Sequence, residues 1–87
     1  MHYRIPDDVL HRVVQSDTVI LNAATNAYVS LNGSAGRIWE LFGAGHTADE
    51  VQSIMADEFE VESDVAAADV AATLQSLLQR GLLEPSA

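Results

Sequence analysis

The residues of this chain that could do chemistry are three histidines, thirteen carboxylates and four arginines, with neither cysteine nor lysine to join them. His2, His11 and His46 fall in three different stretches, and none stands at a metal-ligand spacing such as H-x-x-x-H. Without cysteine there is no thiolate site and no disulfide framework. Ser30, Ser34, Ser53 and Ser76 lack the glycine-flanked elbow that exposes a nucleophile. The pairs Asp49-Glu50, Asp57-Glu58 and Glu60/Glu62 read as helix-start charges and solvated faces rather than a paired acid and base. Gly43-Ala44-Gly45 is a helix stop, since a phosphate loop would need a lysine after it. The pattern points away from an enzyme, and it calls for no cofactor and no metal.

Charge is unevenly spread. Residues 1–45 hold four acids and three arginines, a net of −1, and residues 46–87 hold nine acids and one arginine, a net of −8. Such a half repels phosphate backbones. Nucleic acid is therefore excluded as a partner, because the phosphate contacts of a DNA reader each need a cation. No apolar run approaches the roughly 18–20 residues of a membrane span, and the N-terminal MHYRIPDD has no signal-peptide pattern. A cytoplasmic protein with no membrane partner is expected. A chain of 87 residues, 48% of them hydrophobic, makes one domain over residues 1–87.

The elements that must position any site divide into two halves. Residues 9–14, 18–21 and 27–31 are three β-branched or alternating runs separated by turn chemistry at Ser16-Asp17 and at 22–26. Close spacing lets consecutive runs pair antiparallel. Tyr3-Arg4-Ile5 suggests a short leading strand that Pro6 ends. Three helices follow. Ala35, Ile38, Trp39 and Phe42 form a helical stripe, with Asn32 or Ser34 to cap its start and Gly43 and Gly45 to end it. Thr47 and Glu50 form a capping box ahead of Val51, Ile54, Met55 and Phe59. A third helix starts near Ser63 and stops at Gly81, with Val70, Leu74, Leu77 and Leu78 on its buried face; Leu82 and Leu83 then return to the core. The expected class is α+β: a three-stranded antiparallel sheet followed by three helices, in a winged helix-turn-helix-like order.

A three-stranded sheet has open edges, and an open edge is a template for an added strand. The run Ala27, Tyr28, Val29, Ser30 and Leu31 carries neither proline nor charge to block such pairing. On the third helix Asp69, Thr73, Ser76 and Arg80 form a polar stripe beside the apolar Val70, Leu74 and Leu77. An apolar floor with a few polar anchors suits a peptide. Alternation leaves open which face of the sheet Tyr28 occupies.

The stretches Thr18-Val19-Ile20-Leu21-Asn22, Ala27-Tyr28-Val29-Ser30-Leu31-Asn32 and Gly36-Arg37-Ile38-Trp39-Glu40-Leu41-Phe42, followed by Thr47-x-x-Glu50-Val51 and Gly81-Leu82-Leu83, resemble the PqqD-like family over roughly residues 9–84. That family comprises recognition elements for the leader segments of ribosomally made, post-translationally modified peptides. The resemblance implies a leader peptide added as a strand beside residues 27–31, in a groove completed by the third helix. It also implies a stand-alone recognition protein of a split lasso-peptide system. Its partners there would be the precursor leader, a separate transglutaminase-like cysteine protease and an ATP-dependent cyclase. The alternatives are the peptide chaperone of pyrroloquinoline quinone synthesis and a generic protein-interaction winged helix.

Overall fold

The computed structural model describes residues 1–86. Its elements are β1 (His2–Arg4), β2 (Val9–Val14), β3 (Asp17–Asn22), β4 (Ala27–Leu31), α1 (Gly33–Gly43), α2 (Ala48–Glu58), α3 (Ser63–Gln79) and β5 (Glu84–Ser86). The expected α+β order holds. Strands β2, β3 and β4 form an antiparallel meander in which Leu10 faces Leu21 and Leu21 faces Tyr28. The turns use residues in the left-handed region, Gln15 at φ 58° and Asn26 at φ 57°. Asparagine tolerates that conformation because its short polar side chain can bond locally. The Asn22 side chain braces the second turn by accepting from the Ala24 amide at 3.0 Å.

Of the two caps considered for α1, Asn32 takes the role, accepting from the Ala35 amide at 2.9 Å and the Ser34 hydroxyl at 3.1 Å. The capping box of α2 is present in both directions, Thr47 to Glu50 and back. Helix α3 ends where Gly81 turns to φ 72°, a conformation that glycine adopts without steric penalty.

One hydrophobic cluster joins the sheet to all three helices, with Ile20, Trp39, Phe42, Val51, Val70 and Leu77 deep inside and Leu82 and Leu83 closing it. Trp39 is buried with its one polar atom satisfied: Nε1 donates to the Leu82 carbonyl at 2.9 Å. The His11 ring meets Trp39 edge-on, with centroids 4.9 Å apart.

Three features differ from expectation or go beyond it. The leading strand spans His2–Arg4, one residue earlier than Tyr3-Arg4-Ile5, and pairs with β5, placing Arg4 opposite Glu84 and His2 opposite Ser86 in a separate two-stranded ribbon. Phe59, expected in the buried stripe of α2, lies one residue past that helix at its C-cap and is 44% exposed. Arg37 points away from the core and there ties α1 to the end of α2. Its Nη2 lies 2.6 Å from Glu58, and Nη1 also reaches Glu40.

Candidate peptide-binding groove

Strand β4 is a terminal strand of the meander, and among the described residues its outer edge has no backbone partner. Helix α3 stands beside that edge. The gap between them is a cavity of about 300 Å³ walled by Ser30 and Leu31 on one side and by Ala72, Thr73, Ser76, Leu77 and Arg80 on the other. It continues past Ala35 and Thr73 into a second cavity of about 270 Å³ among the start of α1, the end of α2 and α3. There Ile38, Met55, Phe59, Val61 and Val70 make an apolar lining, with Asn32, Ser34 and Asp69 also contributing.

The height of the floor is set by Gly36. A Cβ at this position would sit 2.6 Å from Thr18 Oγ1, so glycine lets α1 settle onto β3 and brings Ala35 down between Leu31 and Thr73. The Asn32 cap occupies the Ala35 amide at the start of α1.

The sequence-derived candidates fall into three groups. Ser30, Leu31, Thr73, Ser76 and Leu77 line the cavity beside β4, and Asp69, Val70 and Thr73 line its continuation. Ala27 is exposed at the mouth of the β3–β4 turn, and Val29 is half-buried opposite Ile20, packed against the core. Tyr28 points the other way. It is 72% exposed on the outer face of the sheet, over a shallow depression shared with Leu10, Leu21 and Val19. Leu74 is half-buried against the core rather than lining the groove. Among the residues that sequence reasoning missed are Ala35 and Ala72 on the cleft walls and Ile38, Met55, Phe59 and Val61 in its continuation; for Val61 only its hydrophobicity beyond the end of α2 was a signal.

Several ionisable groups around the helices are held for structural ends. The Arg37 guanidinium, by hydrogen bonds and charge, holds the Glu58 carboxyl below its ordinary range, and Glu58 in turn raises Arg37. Glu50 is lowered first by the Thr47 amide of the capping box. His46 Nδ1 lies 3.7 Å from Glu50, and His2 Nδ1 lies 2.8 Å from the Gly45 carbonyl beside it, while His11 packs on Trp39. Among the described residues no group of histidines and carboxylates is disposed to hold a metal ion, and no helix is long and apolar enough to cross a membrane.

An open strand edge, a helix facing it and an apolar cleft between the two are the features that addition of a peptide as a strand requires. The chain belongs to the PqqD family, described as coenzyme PQQ synthesis protein D, whose profile matches residues 17–83. Two solved structures are similar over almost the whole chain. One is TbiB1 in complex with the TbiA(beta) leader peptide, 27% identical with a TM-score of 0.87, covering 97% of this chain and 98% of that one. The other is a lasso peptide synthetase B1 complexed with the leader peptide, also 27% identical, with a TM-score of 0.88 and coverage of 98% and 100%. No curated protein sequence matches the chain.

Proposed function

We propose that this protein binds the leader segment of a ribosomally synthesised precursor in lasso-peptide biosynthesis. The leader adds as a strand to the outer edge of β4, with alternate side chains entering the cleft against α3. The protein itself is non-catalytic and delivers the leader to a separate leader protease and cyclase. The observation that carries this reading is the unpartnered β4 edge set beside a cleft that continues between the helices. Both similar structures hold a leader peptide, which supports the same reading. The edge of β2 is also open, but the depression beside it is lined by strand residues alone and offers an added strand no second wall.

Main-chain pairing supplies affinity with little demand on sequence, and the pockets supply specificity. Ordering a flexible leader costs about 2–5 kcal/mol of the gross interaction. A net affinity of about −8 to −10 kcal/mol, sub-micromolar, is the expected outcome. The family description favours a second reading, presentation of the precursor in pyrroloquinoline quinone synthesis.

Titration of the isotope-labelled protein with the leader of each pathway's precursor distinguishes the two. The lasso leader should shift the amides of residues 27–31 and 69–77, and the quinone precursor should not. In a fluorescence-polarisation titration Val29→Pro should abolish binding by blocking strand pairing. Ala72→Trp, at an exposed position on the cleft wall, should weaken it at least tenfold by occupying the gap without touching the core. Glu62→Ala should bind as the parent does. Undiminished binding by both Val29→Pro and Ala72→Trp would remove the groove from consideration.

A further inference from the structure

The groove has an electrical direction. Helix α3 runs opposite to β4 along it. Asp69 shares a cavity with Asn32, just past the end of β4, and Arg80 shares one with Ser30. Gly81, next to Arg80, lies over Asn22, the residue paired with Ala27 at the start of β4. The Asn32 end is negative. Six carboxylates and no cation occur between residues 57 and 69, and only Glu58 among them is held by an arginine. Asp17 opens β3 at that same end, where Ser16 approaches Gly33. The Ala27 end is different. Asn22 and Asn26 are neutral, and Glu84 is engaged by Arg4 at 3.2 Å. Asp8, whose carbonyl accepts from the Ala23 amide at 2.7 Å, stands on the far side of the sheet's last turn from α3. Arg80 on the groove wall has no ion pair among the described residues. Arg4 and Arg37 are held elsewhere and Arg12 lies on the outer face of the sheet, so Arg80 is the cation on the groove wall.

We infer that Arg80 and Asp69 select the charge order of the bound peptide: a carboxylate side chain at the Ala27 end and a basic side chain at the Asn32 end. This rests on the groove reading above. The eleven residue steps from Asp69 to Arg80 rise about 16 Å along the helix, and that length corresponds to about five residues of extended strand. Every pairing in the sheet is antiparallel, so the added strand runs antiparallel to β4 and begins at the Asn32 end. Side chains on one face of a strand are an even number of residues apart, so the preferred peptide carries a lysine or arginine followed about four or six residues later by an aspartate or glutamate. Between them it places small or apolar side chains toward Ala35, Thr73 and Leu77. The reversed order sets like charges together at both ends and is rejected, a case of selection by repulsion as much as attraction.

The test is selection of a display library of random linear peptides on the immobilised full chain. Enriched peptides should show the base-then-acid order, and representative peptides should lose about fivefold in affinity when their two charges are exchanged, the scale of exposed ion pairs. Arg80→Glu should remove the preference for the acid and admit a base there, and Asp69→Lys should do the converse at the other end. Raising the salt concentration should shrink the difference between the two charge orders. Peptides that are enriched, and displaced by Ala72→Trp, yet show no charge order would overturn this inference and leave the groove standing. Peptides indifferent to Ala72→Trp, or no enrichment at all, would remove the groove and this inference together.

Discussion

At the scale of single residues, composition revealed much more about what the chain does not do than about what holds it together. The absence of a metal-ligand spacing among His2, His11 and His46 is readable from the sequence, although the fold brings His2 and His46 together around Gly45 and Glu50. The contact of His11 with Trp39 is not readable, because the two are separated by a hairpin, a strand and half a helix. The same holds for Arg37 and Glu58, which meet across 21 residues and look in sequence like two unrelated surface charges. That pair makes stability depend on pH. Glu58 is depressed below its ordinary 4.5 in the folded chain, so the stability it contributes is fully present above that value. It is lost as the pH falls through the lower folded value. Thermal melts of Glu58→Gln should lie below those of the parent near neutral pH, and the gap should close in acid. A gap that stays constant across the range would mean that the pair does not stabilise the fold.

At the scale of elements, the helices were the more readable half, since their caps and stripes are local. The Thr47-x-x-Glu50 box and the Ala35, Ile38, Trp39, Phe42 stripe each lie within a few residues of chain. Strand β5 was not readable. It has three residues, one of them Pro85, and its partner β1 lies at the opposite end of the sequence. Its proline is tolerated because an edge position needs no donor there. The face of Tyr28 was likewise open, because alternation gives a period but not an orientation; burial of Ile20 opposite Val29 decides it. The seating of α1 on β3 is the element-level feature with the sharpest consequence. Gly36→Ala should gain about 1 kcal/mol in helix propensity. It should lose about 1–3 kcal/mol by driving a methyl into Thr18, for a net fall in melting temperature. Adding Thr18→Ala should recover much of the loss, since Oγ1 is the nearest atom. A single variant as stable as the parent would show that the helix lifts freely and that the floor of the groove is not set there.

At the scale of the whole molecule, the winged order of strands and helices suggests a DNA reader while the charges refuse one. The helix that would enter a groove carries Asp64 and Asp69, with Arg80 beyond its last turn. No retardation of duplex DNA is expected even at low salt, where phosphate contacts are strongest. A salt-dependent shift would contradict the electrostatic reading. The fold class and the two walls of the groove were readable from the order of patterns along the chain. The continuation of the groove under Phe59 and Val61 was not, because it depends on how the ends of two helices lie against a third. The ribbon of β1 and β5 bears on the molecule's handling as a part. With His2 opposite Ser86, chain enters and leaves this domain about one strand spacing apart, about 5 Å. The domain can therefore be spliced into a surface loop of another protein without prying the host apart, a cassette with its inlet and outlet side by side.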